Sequence, residues 1–596
     1  MTIAIASSLA DIKTVKKLRK PKNLKILVTA LEAKKAAESL KIPVEDVCVS
    51  IDKKNLQIIN KKAAILYRSI ISNSELLKIL TINGLNPLTF ISNRLLFFLN
   101  RMVLASLEIE KIKFLQDCKK IILSKDDVFG FIDSPYNQKY LPLALYIWCK
   151  GNPKTKLSFF HHSETKMALS YYKWTIGMFN RVSNLLIYLK NGYVFNKKDI
   201  LLVLPANHAV QIISLLLKLK HTNIKYLVMV HNLKIKDRIT LLKYGINFID
   251  RDTLKNGLIE KKAERNAFII RRRWKKSKRA IRFINENTRK ALYFNDTIFF
   301  RINNFINKEV KQIFMDLLIA KKNLRMYKPR ILVTTTDPDQ KVSPFIFLAK
   351  ENDIETITIQ HGTYAISSTA NFLSDKVFVW GDYYKNWFKK YLKKDPDKII
   401  VSGSPFFDNL KFIKLNNNKK ITKNHHVLIL ISGVITMPIE KELHQILREL
   451  IKLGVKKIYV RAHPWQKLYI EQNLFPEKGV IAANHESLNY FLKKSRIVIT
   501  TNTTAGFEAL IMGKQVIYWD FFGSGRLPFG SGGIPVVQNS KELINVTAKI
   551  FDGKYMYDRK KIKKLISEIF YKLDGKSGLR IIDMIKRDLN NNYVTS

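Results

Sequence analysis

From about residue 120 onward, short apolar, β-rich runs alternate with segments of helical period, the pattern of parallel α/β units. VFGFIDSP (128–135) reads as a strand, YLPLALYIWCK as a helix and KLSFFHH (156–162) as the next strand. ILLVLPANHAVQIISLLLKLK (200–220) is strand, turn and helix, and KYLVMVHN (225–232) and INFID (246–250) are further strands. RILVTTTDPDQ (330–340), ETITIQHG, KVFVWGD (376–382) and KIIVSGSP (398–405) continue the series, with PFIFLAKEN as a helix among them. A strand, an Asp-bearing loop, a helix, and a strand ending in histidine occur at Asp133 to His161-His162 and again at Asp337 to His361, a faint internal echo.

Hydrophobic order fails over KFIKLNNNKKITKN (411–424), which reads as a linker. A second series follows: VLILISG (427–433), a helix over 439–453, KKIYVRAHP (456–464), SRIVITTNTT (495–504), a helix over 505–512, and KQVIYWD (514–520). Residues 537–592 read as helices with a break at DGKSG (574–578), while 1–119 carry the least pattern, with NLKILVTAL (23–31) as one strand. The expected fold is α/β: two doubly wound Rossmann-type domains, 120–410 and 425–536, facing a cleft. An N-terminal region (1–119) precedes them, and C-terminal helices (537–596) pack back across the cleft. Ligands of open α/β sheets sit beyond the carboxyl ends of the strands, so the chemistry should lie there.

At 596 residues the chain is too long for one core. The three cysteines, Cys48, Cys118 and Cys149, share no metal-ligand spacing and imply no disulfide framework. The N-terminus lacks the basic start of a signal peptide, and no segment reaches the roughly 18 to 20 apolar residues of a spanning helix. The expectation is a cytoplasmic protein, peripheral at the inner face of the cell membrane. Lys and Arg number 103 against 49 Asp and Glu, a net charge of +54. Part of that excess accompanies a general richness in Ile, Asn, Phe and Tyr, as an AT-rich genome produces. The remainder points to an anionic partner. AFIIRRRWKKSKRAIRFI (267–284) sharpens this: Ala267, Ile270, Trp274, Ile281 and Ile284 form an apolar stripe between arginines and lysines. Such a helix either lies on an anionic membrane surface or packs on its own domain with a solvated basic face.

Candidate chemistry gathers at strand ends. ITIQHGTY (357–364) stops a β-rich run at Gln360 and presents His361 before Gly362, read as a hinge. TTTDPDQ supplies Asp337 and Asp339 at another strand end. In the second series, RAHPWQ (461–466) places Arg461 and His463 at a strand end, with Pro464 pinning the chain; both side chains suit an anion such as phosphate. Thr501, Thr503 and Thr504 cluster before a helix that carries Glu508 on its first turn, a natural anion site. Ser432 and Gly433, at the end of VLILISG, are counted with them. Taken singly, each of these features is more often a cap or a structural histidine; it is their combination that points to a site.

An R/K-x-HP segment, then a strand ending in a Ser/Thr-rich turn and a helix with Glu-Ala, resembles the nucleotide-binding domain of GT-B fold transferases over roughly 330–590. It is similar to bacterial surface-polymer enzymes: the CDP-glycerol glycerophosphotransferases, the polysialyltransferases with their HP motif, and capsule polysaccharide synthesis proteins. The resemblance implies that His463 and the 501–504 turn hold the donor's phosphates and that Glu508 approaches the ribose. It implies that His361-Gly362 is the acceptor-side catalytic feature, although the glycerophosphotransferases usually have Trp where Gln360 stands. In polysialyltransferase-like proteins a carboxylate is the base, a role that falls on Asp337 or Asp339. No cofactor is implied, and no metal: the donor is CDP-, CMP- or UDP-linked, and the acceptor is a polysaccharide or lipid-linked polymer. Two other classes remain open: a non-hydrolysing nucleotide-sugar 2-epimerase, and a basic nucleic-acid-binding protein. TNTTAGFEA is not the Ser-Gly-Gly with paired Glu of the first, and no nucleic-acid-binding signature supports the second.

Overall fold

A computed structural model describes the chain except residues 1, 7–8, 18–23, 29–30, 47–52, 83, 111, 113–114, 125–139, 152–153, 161–196, 206–207, 232, 278–296, 338, 364–372, 393–394, 411–425, 433–436, 464–474, 476, 522, 524–526 and 592–596. The expected strand at 128–135, the second halves of the echo at His161-His162 and of the basic stripe, and the linker all lie outside the described residues.

Among the described residues there are three parallel sheets where two were expected. The N-terminal sheet contains β1 (Thr2–Ala6), β2 (Leu24–Val28), β3 (Glu45–Asp46), β4 (Lys120–Ser124) and β5 (Lys156–Phe160), in the order β3-β2-β1-β4-β5. The strands after residue 120 therefore do not open the domain that follows: Thr2 to Ala4 pair with Lys120 to Ile122. Alternation along the chain shows that a strand exists but not which strand it pairs with. TIAIA also escapes notice because five residues are too few to show a period.

The middle sheet contains β6 (Ile200–Pro205), β7 (Tyr226–His231), β8 (Phe248–Asp250), β9 (Ile331–Thr334), β10 (Glu355–Ile359), β11 (Lys376–Val379) and β12 (Ile399–Val401), ordered β12-β11-β10-β9-β6-β7-β8. The C-terminal sheet contains β13 (His426–Ile431), β14 (Ile458–Ala462), β15 (Val480–Ala482), β16 (Ser495–Thr500), β17 (Gln515–Trp519) and β18 (Val536–Val537), ordered β15-β14-β13-β16-β17-β18. Each is doubly wound, with a switch point where the strand order reverses: between β6 and β9, and between β13 and β16. These two sheets are the expected GT-B-like pair.

The C-terminal helices run back to the middle unit. Helix Ser577–Asn591 packs on Ile213–Lys220, burying Ile581, Ile582, Ile585 and Leu589 in the core around β6 and β7. Asp408 anchors its start, accepting from Ser577 N and Gly578 N while pairing with Lys218. Gly403 has φ +80, and a Cβ there would stand 2.5 Å from Ser577 Oγ, so a glycine is needed for the 402–408 turn to meet this helix.

The core of the N-terminal unit is continuous with that of the middle unit, from Ile3 through the helix Ser92–Glu110 to Ala349. The amphipathic helix Gly257–Lys276 belongs to this mass. Its stripe, Ile259, Ala263, Ala267, Ile270 and Trp274, is buried, and the helix lies along Val310–Tyr327. Of the two readings left open, the described part of the stripe follows the second: it packs on its own domain and leaves a solvated basic face. Lys261, Lys262, Arg265, Arg272, Arg273, Lys275 and Lys276 remain exposed. Among the described residues no helix is long and apolar enough to cross a membrane.

Candidate active site

The candidate residues gather near the two switch points. At the middle one, β10 ends in a lock. Gln360 is fully buried; its amide donates to Gly362 O at 2.9 Å and its carbonyl oxygen accepts from Trp380 N at 3.0 Å. The Trp380 indole returns a bond to Gln360 O at 2.8 Å. A side chain able both to donate and to accept is what this junction uses. Gly362 does not act as the expected hinge. Its backbone is not left-handed, and a Cβ would meet nothing within 4 Å, so the glycine leaves open space beside the histidine.

The lock aims His361. Its Nδ1 lies 2.5 Å from Thr335 O. A carbonyl only accepts, so Nδ1 carries the proton and Nε2 keeps its lone pair. Burial lowers the pKa of His361, opposed by the bond to Thr335. The imidazole is therefore neutral near pH 7 and oriented, as a general base must be.

His361 is not alone, and its neighbours were not singled out by sequence. His208, just beyond β6, stands with its ring centroid 4.7 Å from that of His361 and its Nδ1 2.7 Å from Thr335 Oγ1. Phe406 packs edge-on against it at 6.2 Å. Burial, then His361 and His231, push His208 down to about 3. His231 ends β7 with its Nε2 3.4 Å from Asp339 Oδ1, and burial pushes it down to about 4 against the pull of that carboxylate. ANHA and MVHN each put a histidine at a strand end. That was the available signal, but it takes the sheet order to bring β6, β7 and β10 to one place.

Asp337 takes no part in this group. It is fully buried, and its two carboxylate oxygens accept from Leu373 N at 2.9 Å and Ser374 N at 2.7 Å. It braces the loop after β9 against the chain entering β11, which is a structural duty. Asp339 faces His231 and also accepts from Lys341 N at 2.8 Å.

At the C-terminal switch point, Thr501 stitches β16 to β13. Its Oγ1 accepts from Ser432 N at 2.8 Å, and its N donates to Leu430 O at 3.0 Å. His463 N donates to Ile431 O at 3.0 Å, placing this residue beside the same strand end; burial lowers its pKa and favours the neutral imidazole. Gly433 and Pro464 lie outside the described residues. Thr503 holds the turn, its N donating to Thr501 O at 2.7 Å, while Thr504 precedes the helix Ala505–Ile511 without a side-chain cap bond. That helix has seven residues, too short for much of a dipole.

Arg461 departs from expectation. Its Nη1 donates to Ala483 O at 2.6 Å and Glu486 O at 2.7 Å, so this arm braces the loop after β15 instead of reaching for an anion. Its charge is felt by Glu508, whose pKa burial still raises to about 7. Glu508 is thus a carboxyl poised between forms near neutral pH.

An aromatic bridge joins the two switch points. Trp380, bonded to Gln360, stacks on Phe570 at 5.4 Å, and Phe570 meets Phe507, beside Glu508, edge-on at 5.7 Å. Phe407 closes on Phe570 at 4.8 Å. A Cβ at Gly381 would stand 2.4 Å from Glu568 O, so only glycine lets the helix Arg559–Phe570 come so near. Among the described residues no three His, Cys, Asp or Glu side chains are grouped to hold a metal ion.

No protein-family model and no curated protein sequence matches the chain. Solved structures similar to it include the UDP-GlcNAc 2-epimerase of Neisseria meningitidis bound to UDP-GlcNAc: 15% identity over 65% of this chain and 99% of that one, TM-score 0.40. A glycosyltransferase from Rickettsia africae is 15% identical over 66% of this chain and 99% of that one, TM-score 0.39. A variant of the wall teichoic acid polymerase TagF is 11% identical over 72% of this chain and all of that one, TM-score 0.39. What the site does has to be read from its residues.

Proposed function

We propose that the chain is a transferase that moves a sugar or polyol-phosphate group from a CDP-, CMP- or UDP-linked donor to a hydroxyl of a cell-surface polysaccharide or teichoic-acid-like acceptor. The observation that carries this reading is the pair of bridged switch points, one bearing an oriented neutral imidazole and the other a turn lined with hydroxyls and amides. His361 Nε2 takes the proton of the acceptor hydroxyl as its oxygen attacks the anomeric carbon or the phosphorus of the donor. The bond from that centre to the nucleotide phosphate breaks, and the phosphate leaves with the electron pair. Ser432, Thr501, Thr503 and the His463 imidazole receive its charge by hydrogen bonds, with no metal called upon. Glu508 approaches the ribose. The exposed basic face of Gly257–Lys276 supplies electrostatic docking to an anionic inner membrane surface, without insertion.

The test is nucleotide release from CMP-, CDP- and UDP-linked donors with and without a polymeric acceptor. Acceptor-dependent release that His361→Gln abolishes, with nucleotide binding retained, is expected. Release unaffected by His361→Gln, or conversion of a UDP-N-acetylhexosamine to its 2-epimer with no acceptor present, overturns the reading.

A further inference from the structure

A cavity of 460 Å³ opens beside His231, where the N-terminal and middle units meet; Arg94, His231, Lys308, Glu309, Asp339 and Lys341 line it. The sequence reading assigned nothing to it, and no donor group is placed there. Its charges are unevenly matched. Arg94 lies 3.1 Å from Glu309 Oε2 and bonds to Gln340, Arg301 pairs with Glu309 Oε1 at 2.8 Å, and Arg251 pairs with Asp316 Oδ1 at 2.8 Å. Among the described residues the ammonium groups of Lys308 and Lys341 make no ion pair.

Two polar atoms in the same wall are buried with no partner, Nδ1 of His231 and Oδ2 of Asp316; Nε2 of His231 and Oε2 of Glu309 make no hydrogen bond, although Asp339 and Arg94 lie 3.4 Å and 3.1 Å from them. The His231 side chain is only 6% exposed. Buried polar atoms left unpaired are costly and call for a ligand that pairs them. The helix rim is irregular at this point. Phe305–Glu309 forms a π-helical turn, which carries Lys308 and Glu309 to the cavity instead of keeping them on the regular helical track.

Two cations that make no ion pair, beside buried acceptors that make no hydrogen bond, match a particular chemistry. Resting on the transferase reading above, we propose that this cavity is an acceptor subsite for an anion-bearing sugar or polyol, with its phosphate or carboxylate on Lys308 and Lys341. Its hydroxyls donate to Glu309, Asp316 and His231. The shared wall at His231 sets the bound unit next to the histidine group, and Arg94 makes the N-terminal unit part of the subsite.

The experiment is calorimetric titration of the full-length protein with sn-glycerol 3-phosphate and with glucuronic acid, against glycerol and glucose. Both acidic probes are expected to bind and the neutral ones to bind at least about tenfold more weakly. Lys308→Ala, at an exposed position where the fold tolerates change, and Lys341→Ala should each weaken the acidic probes by about tenfold and leave nucleotide binding unchanged. Equal binding of acidic and neutral probes, no binding of the acidic probes, or lysine variants that match the parent overturns the assignment. Acceptor-dependent nucleotide release separates the two readings. Release without probe binding leaves the transferase standing and removes the subsite. Lysine-dependent probe binding without release from any donor does the reverse.

Discussion

The two switch points are built on the same plan and equipped in opposite ways. The middle one collects three histidines, His208, His231 and His361, all held neutral by burial. The C-terminal one collects hydroxyls and backbone amides around Ser432 and Thr501, with one carboxyl, Glu508, raised toward neutrality. Topology makes both strand-end sites; the side chains there equip one with neutral imidazoles and the other with hydroxyls and amides. A doubly wound sheet thus specifies where chemistry happens and leaves its kind to a handful of residues.

The sharpest way to break that contrast is His361→Gln. Loss of a positioned base is expected to lower kcat by about 10²- to 10⁴-fold in a nucleotide-release assay, with donor affinity within about twofold of the parent. Asp337→Asn should behave differently. It replaces an oxygen that accepts from backbone N–H with an amide that cannot, so a stability loss of about 1–3 kcal/mol in denaturant unfolding is expected, with turnover per folded molecule retained. If Asp337→Asn abolished turnover in folded protein, the base assignment would move to it.

Phe570→Ala tests the bridge and is expected to cost about 3–5 kcal/mol, because a large ring is lost from between Trp380, Phe407 and Phe507. A change near zero would mean that the switch points are not mechanically joined.

The two sites also answer pH with opposite signs. The histidines have folded pKa values below the ordinary 6.5, at about 3 for His208 and about 4 for His231, so the unfolded chain binds protons first on acidification. Their contribution is a stability present above pH 6.5 and lost progressively down to pH 3–4. Glu508 has a folded value of about 7 against 4.5, so its burial becomes unfavourable as pH rises through that window. Glu508→Gln should therefore gain stability relative to the parent between pH 4.5 and 7 and stay level above, by about 3–4 kcal/mol at most. A difference that does not vary with pH in urea titrations would remove the raised carboxyl. The smallest expected effect is that of Thr501→Val, about tenfold in donor affinity with kcat little changed, read from the dependence of release on donor concentration.

Much of this arrangement is legible in the chain. The strands from Lys156 to Trp519, the three-residue β15 excepted, announce themselves as apolar runs, and ITIQHG, RAHP and TNTTAG each fall at a strand end because punctuation by Gly, Pro and Thr marks where a strand stops. These are local properties, set by backbone preference and side-chain period, so the sequence alone determines them. The sequence likewise determines that Gly381 and Gly403 are small, but not that a helix some 170 residues away needs the room.

Only the tertiary structure decided who meets whom. Pairing of β4 with β1 gave the N-terminal unit strands that alternation had assigned to its neighbour. The order β9-β6-β7 brought His208 and His231 to His361, and the carboxylate of Asp337 met the backbone amides of Leu373 and Ser374. Arg461 was drawn to carbonyls beyond β15, and the apolar stripe of Gly257–Lys276 was covered by a neighbouring helix. The physical reason is the same in each case: hydrogen bonding and burial are satisfied by whatever group is nearest in space, and distance in space is set by sheet order, which no local pattern encodes.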